Sequence, residues 1–133
     1  MIRCGIDLIE VSRVRRALER HGERFETRVF TPEEIAYCRR KHFPWPNYAV
    51  RFAAKEALYK SLLPGTLPFL VWREIGVRRH ASGAPELAFF GSTAERLHGW
   101  RFSLALTHER TLAMAQVLAV PPGFEWPREE PNP

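Results

Sequence analysis

Two acidic side chains stand where an isolated charge is expensive. Asp7 lies inside "IRCGIDLI", a short run otherwise rich in apolar residues. Glu56 lies inside "RFAAKEALYK", an alanine-rich stretch with Lys55 beside it and Lys60 one helical turn on. A carboxylate among apolar neighbours must be solvated, paired or bound to a cation. Asp7 has a bland alternative as the cap of a following helix. Glu56 has one too, as an i,i+4 partner of Lys60 on a wet helix face. If the two acids meet, they suit a hydrated Mg²⁺, which takes one or two carboxylates and completes its shell with water and phosphate oxygens. His108, in "LTHE", is a further candidate, although a lone histidine at a strand end more often serves structure. Arg13, Arg16 and Arg20 recur at i, i+3, i+7 and could meet phosphates or acidic side chains, or simply face water. No Gly-rich phosphate loop, dinucleotide pattern or paired-histidine zinc motif occurs.

The elements that must position these residues follow from the hydrophobic periods. Residues 2–9 alternate, with Ile2, Cys4, Ile6 and Leu8 on one face and Arg3, Gly5 and Asp7 on the other, which predicts a strand. After Glu10 the period becomes helical: Val11, Val14 and Leu18 oppose the arginine stripe, and the helix should end near Gly22. "TPEE" at 31–34 is a helix start with Thr31 as cap, Pro32 at the first position and Glu34 closing the box. "FPWPN" precedes the long helix of Glu56, and "LPGTLP" ends it. "EIGVRR" and "ELAFF" flank "HASGAP" as a hairpin, and Ser92 with Glu95 predicts a capping box on a short helix ending at Gly99. "RFSLALTHE" and "TLAMAQVLAV" are too close in sequence for a parallel crossover and should pair antiparallel. The expected fold class is α+β, an antiparallel sheet packed with the amino-terminal helices and taking up the first strand. The proline-rich end, 121–133, cannot enter a sheet interior and should be mobile or lie along a surface.

Composition bounds the function. The chain of 133 residues suits one domain, with 45% hydrophobic and 26% charged residues. No apolar run reaches the ~20 residues of a membrane span, and the first residues read as mature structure and not as a signal peptide. Two cysteines, Cys4 and Cys38, form neither a metal pattern nor a disulfide scaffold, which makes a cytoplasmic location the default. The net charge is +5, and the first sixty residues hold thirteen basic against eight acidic side chains, so the excess is one-sided. Such a surface attracts an acidic partner or a phosphorylated molecule, unless it serves solubility alone.

Three segments taken together, "GIDLIEVSR", "RFAAKEALYK" and "SLALTHE", resemble the holo-acyl-carrier-protein synthases, the small 4′-phosphopantetheinyl transferases. The similarity spans most of residues 2–120, so the expected organisation is a transferase domain at 1–120 and an appended tail at 121–133. The resemblance implies a 4′-phosphopantetheinyl transferase-like fold. It also implies transfer of the phosphopantetheine arm of coenzyme A to a serine of an apo acyl carrier protein, releasing adenosine 3′,5′-bisphosphate. It assigns Mg²⁺ to Asp7 and Glu56, and catalytic roles to these two with Lys60 and His108. Lys55 and Lys60 would face the coenzyme's phosphates, with Ser103, Thr107 and His108 lining its pocket and Gly65 and Thr66 in the loop that approaches it. Carrier docking would use Arg13, Arg16 and Arg20 on the first helix and Arg24 and Arg28 just after it. A homotrimer with active sites between subunits is implied, and neither nucleic acid nor a membrane span. The stretch "LLPGTLPF" departs from the family's Gly-Thr-Gly loop, and the tail is extra. The competing expectation is a non-catalytic basic module that binds coenzyme A, RNA or an acidic protein. It gives no reason for Asp7 and Glu56, and for RNA it lacks the aromatic–basic motif.

Overall fold

The computed structural model describes residues 1–128. Ten main elements follow in chain order: β1 (Arg3–Glu10), α1 (Val11–His21), α2 (Glu23–Val29), α3 (Pro32–Arg39), α4 (Trp45–Ser61), β2 (Ile75–Arg79), β3 (Pro85–Phe89), α5 (Gly91–Arg96), β4 (Arg101–His108) and β5 (Leu112–Val120). A single 3₁₀ turn, Trp72–Glu74, precedes β2. β5 is the centre of a three-stranded antiparallel sheet, with β1 on one side and β4 on the other. β2 and β3 form a separate hairpin. The architecture is the expected α+β.

The long helix α4 packs across β1, β5 and β4. The approach is close because both surfaces are small. Ala53, Ala54 and Ala57 on the helix and Ala113, Ala115 and Ala119 on β5 are all buried. The closest point is Gly5: a Cβ there would stand 1.9 Å from the Ala57 carbonyl oxygen and 2.6 Å from the Ser61 nitrogen. Any side chain at Gly5 would therefore push β1 off the helix that carries Glu56.

The alternation of β1 is as expected, but its apolar side is the one that faces outward. Arg3, Gly5, Asp7 and Ile9 face α4, whereas Ile6 and Leu8 are 54% and 61% exposed. Their neighbours on β5, Leu112, Met114 and Leu118, are exposed on the same face.

Local caps explain the other boundaries. Thr31 and Glu34 form the expected reciprocal box, Glu34 N–H to Thr31 Oγ1 at 3.2 Å and Thr31 N–H to Glu34 Oε1 at 2.9 Å. The expected box on α5 is not made. Phe90 is the N-cap, and the carboxylate of Glu74 instead takes the Ser92 and Thr93 N–H groups and both hydroxyls. These donors stabilise its charged form, which holds the Glu74 carboxyl down at about 2. Past Val120 the chain runs along a surface as far as it is described, with Trp126 near Ile2 and Leu118. The rest of the expected tail, 129–133, lies outside the described residues.

Candidate functional site

Asp7 and Glu56, separated by 49 positions in sequence, are neighbours in space because β1 and α4 touch at Gly5. Asp7 faces the helix and does not cap α1, whose N-cap residue Glu10 makes no side-chain capping bond. Lys60 Nζ lies 2.8 Å from Asp7 Oδ1 and donates also to the Ile6 carbonyl oxygen at 3.1 Å. The i,i+4 pairing of Lys60 with Glu56 is thus replaced by a pairing across to the strand. Burial raises the Glu56 carboxyl above its ordinary value; the Asp7 charge adds to this, and Lys60 opposes it. Two carboxylates are thereby held close enough to repel, with one flexible ammonium between the segments. Among the described residues no third histidine, cysteine or acid joins them.

Lys55 is placed elsewhere, and its expected role on coenzyme phosphates is corrected. Its side chain is fully buried beneath α4, with Nζ 2.6 Å from Glu34 Oε1 and donating to the Val29 carbonyl at 2.7 Å and the Trp72 carbonyl at 3.2 Å. Glu34 Oε2 also accepts from the Val77 N–H at 3.1 Å. This is a saturated internal network joining α3, α4, the end of α2 and the hairpin, with no route to a ligand. Burial pulls the Lys55 ammonium below its ordinary value, against the opposing pull of Glu34.

The remaining expected residues divide between the two faces of the sheet. The register puts Thr107 opposite Met114, itself opposite Leu8, so Ser103 and Thr107 point outward with the exposed apolar side chains. His108 ends β4 on the opposite edge from β1. There it borders a cleft of about 250 Å³ with Arg51, Arg78, Arg79, Tyr37 and Pro85. His108 and Thr107 also border a second cleft on the outward face, with Leu8, Leu112 and Met114. Neither cleft has Asp7 or Glu56 in its lining. Gly65 sits at φ 87°, a value glycine supplies at little cost. Thr66 Oγ1 accepts from Arg3 Nη1 at 3.2 Å, and Arg3 itself lies four residues along β1 from Asp7, roughly 13 Å of strand.

Several members of the basic cleft escape a reading of periods and motifs. Arg51 is buried, its guanidinium donates to the Asn47 carbonyl at 3.0 Å, and its Nε has no hydrogen-bond partner among the described residues. Its carbon lies 4.4 Å from the centre of the Tyr37 ring. Burial pushes the Tyr37 phenol up, but Arg79, Lys41 and Arg51 outweigh it and hold the phenol below its ordinary value. So dense a positive field, with a buried donor unspent, is suited to phosphate. The signal available in sequence is Arg51 itself, one turn before Lys55 on the buried side of the helix, and the Arg78–Arg79 doublet.

Arg13, Arg16, Arg20, Arg24 and Arg28 are all exposed and, among the described residues, make no ion pair. Arg15 is different: it pairs with Glu19 and lies over Trp45.

Known proteins share both the sequence and this fold. Residues 3–117 match the 4′-phosphopantetheinyl transferase superfamily. A holo-[acyl-carrier-protein] synthase of Solibacter usitatus is 39% identical over 121 residues, covering 89% of this chain and 97% of the relative. That of Methylorubrum populi is 43% identical over 126 residues, covering 88% and 93%. Among solved structures, the Neisseria meningitidis holo-[acyl-carrier-protein] synthase superposes with a TM-score of 0.80 at 32% identity, over 90% of this chain and 99% of that one. The Helicobacter pylori enzyme in complex with coenzyme A gives 0.74 at 27% identity, over 90% and 100%.

Proposed function

The chain belongs to the 4′-phosphopantetheinyl transferase superfamily, and we propose that it moves the 4′-phosphopantetheine arm of coenzyme A onto a serine of an apo acyl carrier protein. This is the activity of a holo-[acyl-carrier-protein] synthase, the enzyme named in its relatives. The observation that carries it is the meeting of Asp7, Glu56 and Lys60 at the β1–α4 contact. In the reaction the serine oxygen forms a bond to the phosphorus next to the pantetheine arm. The bond from that phosphorus to the bridging oxygen breaks, adenosine 3′,5′-bisphosphate leaves with the electron pair, and the serine proton passes to a base.

Asp7 and Glu56 would hold Mg²⁺. Their donor set fits: two hard carboxylate oxygens from two rigid elements, leaving positions for water and phosphate. Mg²⁺ there supplies neutralisation of negative charge on the phosphoryl oxygens. Lys60, half exposed on a long stem, can turn its ammonium from Asp7 to a phosphate. The cleft of Arg51, Arg78, Arg79 and His108 would receive another phosphate of the coenzyme, with Ser103 and Thr107 on the adjoining outward face. Gly65 and Thr66, in the loop that follows α4, would approach the coenzyme as well. Exposed Arg13, Arg16, Arg20, Arg24 and Arg28 would dock the acidic carrier.

A homotrimer explains how these parts combine. The two halves lie on opposite edges of one sheet, and the apolar face of Ile6, Leu8, Met114 and Leu118 is open between them. Packing that face against another copy removes it from water and brings one chain's cleft to another's carboxylates. We assign the transferase to residues 1–120, the tail to 121–133, and the site of action to the cytoplasm. Among the described residues no helix is long and apolar enough to cross a membrane.

The test is the intact mass of an apo acyl carrier protein after incubation with this protein, coenzyme A and Mg²⁺. A phosphopantetheine-sized gain is expected. Coenzyme A binding without any mass gain, or no binding at all, would support the non-catalytic basic module instead.

A further inference from the structure

We propose that Lys60 competes with the divalent cation for Asp7, so that the metal binds tightly only after coenzyme phosphates have drawn the ammonium away. This rests on the assignment of Mg²⁺ to Asp7 and Glu56. The ammonium is held by two acceptors at once, Asp7 Oδ1 at 2.8 Å and the Ile6 carbonyl oxygen at 3.1 Å. It therefore sits against the carboxylate and not loosely in solvent. The Asp7 side chain is only 14% exposed, so few of its lone pairs are open to any other cation. A metal ion on Oδ1 needs about 2.0–2.1 Å. An ammonium 2.8 Å from the same oxygen occupies much of the room that ion and its waters require. Two positive charges sharing one poorly solvated oxygen also repel each other strongly.

The competition has an exit. The Lys60 side chain is 48% exposed, whereas Lys55 is enclosed and Arg51 nearly so. Of these three α4 cations, Lys60 alone can swing without unpacking the core. A pyrophosphate arriving beside Asp7 offers the ammonium a more highly charged partner and offers the metal further oxygen ligands. Without it, the described residues supply only two acids to the site. Coenzyme and metal thus favour each other, and by linkage each must raise the other's affinity by the same factor.

The proposal is tested by titrating metal-free protein with Mn²⁺, followed by the electron paramagnetic resonance of the free ion. The comparison is wild type against Lys60→Met and Lys60→Gln, without coenzyme and then with coenzyme A, the ion bound by coenzyme alone being subtracted. Circular dichroism verifies folding. Both variants should bind Mn²⁺ more tightly than wild type in the absence of coenzyme, on the order of tenfold. The affinity gained on adding coenzyme A should shrink correspondingly. Unchanged or weaker Mn²⁺ binding by both variants without coenzyme overturns the competition. Asp7→Asn and Glu56→Gln separate this from the metal assignment. If both retain wild-type Mn²⁺ affinity with coenzyme present, the assignment itself falls.

Discussion

At the scale of single residues, neighbouring charges on α4 have opposite duties. Replacing Asp7 by Asn or Glu56 by Gln keeps shape and removes charge, so the fold should survive while turnover falls by ~10²-fold or more. Circular dichroism and carrier-modification rates check the two halves of that statement. Lys55→Ala should do the reverse of a surface change. It strands the buried Glu34 carboxylate, at a cost of ~3–5 kcal/mol, readable by chemical denaturation. Lys60→Ala should leave stability almost untouched and raise the KM for coenzyme A. Asp7 and Glu56 could be picked out from sequence because an acid in an apolar run is conspicuous. The fate of Lys55 was also in principle legible, since Arg51, Leu58 and Leu62 share its side of the helix and all are buried. What hid it was its partner Glu34, 21 positions away and already employed in a cap.

At the scale of elements, what is local could be read and what is long-range could not. The Thr31 box spans three residues and formed as expected, whereas the start of α5 is held by Glu74, 18 residues upstream, which no short motif announces. This cap makes a pH prediction. The Glu74 carboxyl is held at about 2, below the ordinary 4.5 of an unfolded chain. A depressed carboxyl contributes stability that is fully present above the unfolded value and is lost as pH falls through the folded one. Thermal melts from pH 5 to pH 2 should therefore show a loss that Glu74→Gln lacks, and the two proteins should converge at the acid end. Strand periods were equally plain. Which side of β1 faces the core was not, because alternation carries no sign. That choice follows from Gly5, whose missing side chain lets the strand lie on α4.

At the scale of the whole molecule, charge and apolar surface divide the exterior between two tasks. Arg13, Arg16, Arg20, Arg24 and Arg28, exposed on α1 and α2, form the basic end, and an acidic carrier should find them by long-range attraction. Arg13→Glu should raise the KM for carrier and leave that for coenzyme A nearly unchanged. The difference should narrow with added salt, because exposed charges are screened within ~8 Å at physiological ionic strength. Steady-state kinetics at low and high salt, with each substrate varied in turn, measures this. The outward apolar face behind the proposed assembly could not have been derived from one chain's periods, since an outward apolar face and an inward one alternate identically. The placement of half-sites on opposite edges of the β1–β5–β4 sheet carries one more consequence, and it concerns dose. If copies must meet before any of them can act, activity per molecule is a property of the population. Dilution should then silence the protein faster than it thins it, with a lag on reconcentration, and a cell making too little would have almost none that works.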